Sequence, residues 1–237
     1  MRPTPGDPRF LTRWQEVGEI IQLSDGEKAT ILITDHHHPV TETRLNHMPK
    51  LKYVVSPNTG HTHLQFNAQA HGIKLITLRG EAGFLSEVRS VAEFVMMQIQ
   101  ILARPVHGGI GMLLSNKTLG IVGLGRIGKQ LSVVASGFGM RIMHVDKESP
   151  EWAWGALFQK SDVVSLHLPE SEDTKQKIGL ELLSFMRPSA FLINTARASI
   201  LDEAVLAGLL AHGEIAAAAL DVTDRDWGPY PQVLVTP

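Results

Sequence analysis

Three glycines and one acid carry the clearest chemistry in this chain. Gly123, Gly125 and Gly128 follow the apolar run 119–122 at G-x-G-x-x-G spacing, and Asp146 stands about twenty residues further on. Each has a physical task. Gly123 permits a tight strand-to-helix turn, Gly125 lets a pyrophosphate approach bare backbone, and Gly128 lets the next helix lie close to the sheet. That helix opens at Arg126 and Ile127, so its first N–H groups and its positive dipole end face the phosphates. Asp146 is placed to accept bonds from the adenosine ribose hydroxyls and to repel a 2′-phosphate, which favours NAD over NADP. His144 and Lys147 flank it and weaken that preference. A lone glycine fingerprint also occurs in turns with only a packing role. Here strand, glycines, helix, strand and acid come in order, which points to dinucleotide binding.

The elements that must hold these residues are legible in the hydrophobic periodicity. Ile127, Leu131, Val134 and Ala135 recur at helical spacing, and 140–145 reads as the strand ending at Asp146. Beyond it, helices over 152–160, 180–186 and 202–212 alternate with strands over 162–167, 190–195, 216–222 and 233–236. Before it, strands are expected over 19–23, 29–34, 51–55 and 73–78, and helices over 10–17, 41–48 and 64–71. A long helix over 87–104, capped by Ser86, joins the two series. The expected fold is α/β in two domains: a small flavodoxin-like unit over 1–86, a hinge over 87–116, and a doubly wound Rossmann-type parallel sheet over 117–237. In such sheets ligands sit beyond the carboxyl ends of the strands, which singles out Asp146, His167, Arg197 and Asp221.

Composition narrows the function. The 237 residues carry a net charge of −2, so nothing draws the chain broadly to nucleic acid or to an anionic membrane. The absence of cysteine excludes disulfides, thiolate catalysis and Cys-ligated zinc, and fits a cytoplasmic location. Residues 1–8 lack the apolar core of a signal peptide, and no apolar run is long enough to span a bilayer. His36, His37 and His38 follow a strand end. Consecutive side chains there point to opposite sides, and their spacing matches no metal motif.

With these residues read, the chain resembles the D-isomer-specific 2-hydroxyacid dehydrogenases. Three segments carry the likeness: 120–129 (GIVGLGRIGK); 161–169 (SDVVSLHLP), followed by Thr174; and 191–222 (FLINTARASILDEAVLAGLLAHGEIAAAALDV). Weaker support comes from 50–55, 72–78 and 90–93 (SVAE). The resemblance implies NAD as cofactor and reversible hydride transfer between nicotinamide C4 and C2 of a small 2-hydroxy or 2-keto acid. It places the carboxylate-binding arginine at Arg197 and the nicotinamide amide's acceptor at Asp221. Backbone at His167, Leu168, Pro169, Thr195, Ala196 and Arg197 would line the nicotinamide, with Thr174 also on the cofactor side. Asn58, Thr59 and Gly60 match the loop whose N–H groups meet the substrate carboxylate. The acid that orients the catalytic histidine, commonly Glu, aligns with Asp226, with Asp224 as competitor; in the loop Thr-Asp-Arg-Asp a solvated turn acid is the ordinary alternative. The resemblance also implies a homodimer.

The likeness has departures. The family's acid/base histidine directly follows a strand of the type VLVTP, a position just past Pro237. Weak or no turnover is therefore the expectation for residues 1–237, with His61 and His63 as remote substitutes. The alternative from another class is a non-catalytic, NAD-responsive, corepressor-like binding protein. Ala198 stands where the family carries glycine. The segments 105–116, 146–161 and 226–233 read as shortened.

Overall fold

The computed structural model describes residue 19 and residues 23–35, 38–104 and 111–236. The helix expected over 10–17, most of the strand expected over 19–23, His36 and His37 lie outside the described residues. The chain divides into two compact units, Met1–Leu85 and Ser86–Pro237.

The first unit opens with a 3-10 turn (Leu23–Lys28), followed by β1 (Ile31–Ile33), β2 (Val40–Thr41), α1 (Glu42–Leu45), β3 (Tyr53–Ser56), β4 (Leu64–Gln65) and β5 (Lys74–Thr77). Strands β1, β3 and β5 pair in parallel in that order, and β2 pairs in parallel with β4. Period-two alternation sends Leu32, Val54 and Leu75 to one face, against Val40, Leu45 and Leu51. Thr41 caps α1 by accepting from the Arg44 N–H at 3.3 Å.

The helix expected over 64–71 does not form. Leu64 and Gln65 pair with Val40 and Thr41 instead, and turns follow. Asn67 explains the switch. Its Oδ1 accepts from the N–H groups of Gln69 and Ala70 at 3.1 and 3.2 Å, and its own N–H donates to Glu42 Oε1 at 3.0 Å. These bonds offer the backbone an alternative to the helical ladder.

The long helix expected over 87–104 is also redrawn. A short helix, α2 (Ala82–Glu87), precedes it, and α3 (Ser90–Ala103) begins after Arg89, which gives no side-chain cap. Ser86 therefore sits inside α2, where its carbonyl accepts from Gln130 Nε2 at 2.8 Å.

The second unit continues with β6 (Thr118–Val122), α4 (Arg126–Gly137), β7 (Arg141–Val145), α5 (Glu151–Lys160), β8 (Val163–Leu166), α6 (Leu180–Leu183), β9 (Phe191–Asn194), α7 (Glu203–Ala211), β10 (Ala217–Leu220) and β11 (Val233–Val235). All six strands are parallel, in the order β11-β10-β9-β8-β6-β7. Alternate residues feed two cores. Leu119, Ile121, Val163, Ile193 and Ala219 pack with α3 and α4, while Val122, Val164, Leu166, Leu192 and Leu220 pack with α5, α6 and α7. The sheet is thus covered on both faces, which is why its strands read as continuous apolar runs. Its amino edge is pinned by Asp162, whose carboxylate accepts from the Thr118 N–H at 2.8 Å and faces Lys117 and Arg187 at 3.5 and 3.4 Å.

Gly120 marks where α5 crosses β6. A Cβ there would stand 2.3 Å from Ser161 Oγ and 2.6 Å from Leu157 Cδ2. Gly120→Val is expected to cost about 3 kcal/mol by overpacking. Gly137→Ala, at the open end of α4 with nothing within 4 Å, is expected to be neutral or to stabilise by up to about 1 kcal/mol. Urea unfolding midpoints check both, and equal midpoints for the two variants would contradict this account.

Candidate dinucleotide site

The strand order reverses between β6 and β8, because β7 lies on one side of β6 and β8 on the other. A crevice beyond the carboxyl ends follows from such a reversal. The glycine turn sits at its mouth. Gly123 has φ +100°, and a Cβ on it would stand 2.9 Å from the carbonyl carbon and oxygen of His167. Only glycine serves there, on conformation and on space alike. Its N–H donates to the Val145 carbonyl at 2.7 Å, which ties the turn to the end of β7. Gly128 meets the turn from the helix side, where a Cβ would fall 2.3 Å from the Gly123 carbonyl oxygen.

Gly125 is different. A Cβ there would meet nothing within 4 Å, so the space over it is open. It is the N-cap of α4 and brings no side chain to the first turn. The first-turn backbone at Arg126, Ile127 and Gly128 thus borders open space at the positive end of a helix of 12 residues. An open cradle over a helix start fits a pyrophosphate. At the end of β7, Asp146 is half-buried and rigidly presented. Its Oδ1 accepts from the Glu148 N–H at 3.1 Å and the Ser149 hydroxyl at 3.3 Å, and Ser149 Oγ accepts the Asp146 N–H at 3.0 Å. Those bonds use one carboxylate oxygen and leave Oδ2 for a diol. The residues therefore fit the dinucleotide that the glycine spacing implied.

At the end of β8, His167 packs against the glycine turn and its Nε2 lies 2.9 Å from Ser165 Oγ. Burial pushes its pKa down to about 4, so the ring is neutral at pH 7. Leu168 is buried and Pro169 is exposed. Thr174 closes the following loop on itself: its hydroxyl donates to the Pro169 carbonyl at 2.7 Å and accepts the Ser171 N–H at 2.9 Å.

The end of β9 carries Thr195, Ala196 and Arg197. Asn194, fully buried, clamps them. Its Oδ1 accepts the Ala196 N–H and its Nδ2 donates to the Arg197 carbonyl, both at 3.0 Å. The strand expected over 190–195 places Asn194 inside it and says nothing of this role; a polar side chain in an apolar run is the available signal. Arg197 is exposed, and its Nη1 donates to the Ala196 carbonyl at 2.6 Å. Among the described residues, Asn116 and Gln176 are the only non-glycines at positive φ, so Ala198 sits without backbone strain where the resemblance expected glycine.

Asp221 directly follows β10, exposed, with its N–H on the Asn194 carbonyl at 3.0 Å. The loop after it is anchored by Trp227, which is 4% exposed. The Trp227 indole N–H donates to Thr223 Oγ1 at 2.7 Å, and its ring meets Tyr230 edge-on at 5.4 Å. Glu203, at the start of α7, was also missed. Burial raises its pKa, and the nearby Thr223 hydroxyl and Asp224 backbone oppose the rise. Asp226 is exposed and its Oδ1 accepts the Gly228 N–H at 2.9 Å, so it shapes a local turn.

In the first unit, Asn58, Thr59 and Gly60 follow β3. The Ser56 hydroxyl lies 3.3 Å from Asn58 Oδ1 and 2.9 Å from His63 Nε2. His63 is 4% exposed, which makes it a packing group. His61 Nε2 meets Thr77 Oγ1 at 3.0 Å. Among the described residues no group of three or more His, Cys, Asp or Glu could hold a metal ion. None of the helices described is long and apolar enough to cross a membrane.

The fold and cradle together define a nucleotide-binding α/β protein, and comparison with known proteins makes the class specific. The family described as D-isomer specific 2-hydroxyacid dehydrogenase, NAD binding domain, matches residues 89–237. The chain belongs to that family. A glyoxylate reductase of Korarchaeum cryptofilum is 31% identical over 240 residues, covering 87% of this chain and 69% of the relative. A glyoxylate reductase of Thermococcus litoralis is 42% identical over 131 residues, covering 51% of this chain. This chain spans 38% of the length of the Aeropyrum pernix glyoxylate reductase it matches and 39% of the Thermococcus one. Among solved structures, NAD+-bound 3-phosphoglycerate dehydrogenase of Entamoeba histolytica superposes with a TM-score of 0.75 at 26% identity, over 91% of this chain and 72% of that one.

The depressed His167 pKa has a consequence for stability. The unfolded state takes up a proton near pH 6.5, and the folded state does so only near pH 4. Stability is therefore full above about pH 6.5 and falls as pH drops through that window, by roughly 3 kcal/mol for this group. His167→Gln is expected to flatten that part of the profile, and parallel profiles for the two proteins would contradict the assignment.

Proposed function

We propose that this chain binds NAD(H) in the cradle between β6 and β8 and serves a dehydrogenase acting on a small 2-hydroxy or 2-keto acid. The single observation that supports it most is the cradle itself: open space over Gly125 beside a glycine turn packed against His167. Bound there, NAD supplies the hydride acceptor or donor at nicotinamide C4.

The chain's own residues bind and orient. Gly123, Gly125, Arg126, Ile127 and Gly128 hold the pyrophosphate by backbone. Asp146 holds the adenosine ribose through Oδ2. Backbone at His167, Leu168, Pro169, Thr195 and Ala196 borders the nicotinamide, and Thr174 keeps the loop beyond it in place. Asp221 accepts from the carboxamide. Arg197, planar and permanently charged, holds the carboxylate of the acid and polarises its 2-oxo group. Asn58, Thr59 and Gly60 form the first unit's substrate loop. His167 is neutral at pH 7 and is no proton donor to the reaction. Asp226 is assigned to orienting the acid/base histidine that the family resemblance implies. The domain division is a substrate unit over 1–86, a hinge over 87–116 and an NAD unit over 117–237. The cysteine-free composition supports a cytoplasmic protein, and family likeness supports a homodimer.

Calorimetric titration tests the reading. NADH should bind residues 1–237, and NADPH should bind at least about tenfold more weakly because Asp146 faces the 2′ position. Absence of NADH binding would overturn the proposal. With NADH present, Arg197→Lys should weaken glyoxylate binding about tenfold through loss of the bidentate fork. An unchanged affinity would remove Arg197 from the substrate site. Ordinary NADH binding with no interaction with any 2-keto acid would favour the NAD-responsive binding protein instead.

A further inference from the structure

Gln98 is the one polar side chain in the buried stripe of α3, among Ala92, Val95, Met96, Ile99 and Ala103. It is fully buried, and its Oε1 has no hydrogen-bond partner among the described residues. Such a group costs stability, and a leucine of similar volume would pack there without that cost. Its amide does reach one partner. Nε2 donates to Thr236 Oγ1 at 3.1 Å, across 138 positions of sequence. Thr236 Oγ1 in turn lies 3.3 Å from Asp221 Oδ1 and 3.4 Å from the Leu220 carbonyl.

The proton inventory gives this chain a direction. The Gln98 amide can only donate through nitrogen, so the Thr236 oxygen accepts, and its single proton is left to point outward. Asp221 and the Leu220 carbonyl compete for it. The backbone of both residues is already fixed: the Thr236 N–H donates to the Leu220 carbonyl at 3.1 Å and the Asp221 N–H to the Asn194 carbonyl at 3.0 Å. The remaining freedom is the Asp221 side-chain torsion. A bond to Oδ1 removes it and leaves Oδ2, which accepts from no described residue, for an incoming donor.

We propose that Gln98 is a positioning residue which, through Thr236, orients the Asp221 carboxylate for the carboxamide of the nicotinamide ring. This rests on the NAD-binding reading above and adds a residue outside the cradle to it. The test separates the nicotinamide end from the rest of the cofactor. NADH and ADP-ribose, which lacks nicotinamide, are titrated calorimetrically into the wild type, Gln98→Leu, Thr236→Val and Thr236→Ser. NADH affinity should fall about three- to tenfold in Gln98→Leu and Thr236→Val and return in Thr236→Ser, which keeps the hydroxyl. ADP-ribose affinity should stay within twofold in all four, the readout that a merely structural role would not spare. Unchanged NADH affinity in Gln98→Leu, or an equal loss for ADP-ribose, would overturn the proposal while leaving the cradle intact. A wild type that binds neither ligand would overturn the NAD reading first and this proposal with it. Should Gln98→Leu fail to fold, Thr236→Val against Thr236→Ser decides the question alone.

Discussion

Covering six parallel strands on both faces leaves the second unit one kind of place for polar chemistry. Side chains along β6, β8 and β9 are enclosed, so they are apolar or bonded inward, and exposed polar groups gather where the strands end. Everything at the site follows from how the ends are brought together. At the carboxyl end of β6 the backbone itself is the functional surface, because Gly123 lies against the His167 carbonyl and any side chain there would drive the two apart. At the opposite edge the same burial demands Asp162, which satisfies an otherwise orphaned N–H and links β6 to β8. One end of the sheet is sealed by charge and the other is left open by glycine.

Much of this was legible in the sequence because it is local. Apolar runs bounded by polar residues announced every strand of the second unit, and the glycine spacing announced the turn and its helix. The helix expected over 202–212 forms over 203–211, with Asp202 as its cap, accepting from Ala204 and Val205. What escaped was non-local or competed with periodicity. Residues 64–71 have helical spacing, yet Asn67 and its tie to Glu42, 25 residues earlier, turned the segment away from helix. Glu203 escaped, since nothing nearby in sequence says that Thr223 and Asp224 lie close enough to act on its ionisation. Gln98 looked like one position of an apolar face, because its partner lies at the far end of the chain.

The same distinction separates the two units. In the second, motif, fold and geometry agree on a site. In the first, the loop after β3 is held by Ser56 and His63 from beneath, so its shape is set by a buried pair rather than by its own turn residues. The histidines there, His61 and His63, which their place in the expected substrate loop offered as remote substitutes for the acid/base, pair with Thr77 and Ser56.

The place of β11 in the sheet has a dynamic consequence. It is three residues long and, among the described residues, lies at the outer margin and pairs with β10 alone, through Ala218, Ala219 and Leu220. Short marginal strands belong to the least protected cooperative units of a fold and open far more often than the interior. Thr236 hangs from that strand. On the role proposed for Thr236, cofactor affinity is coupled to a fraying equilibrium: the apparent dissociation constant is the intrinsic one divided by the fraction of time the margin is closed. Whatever steadies this margin, whether chain, solvent or a neighbouring molecule, would then act on nucleotide affinity without touching the nucleotide.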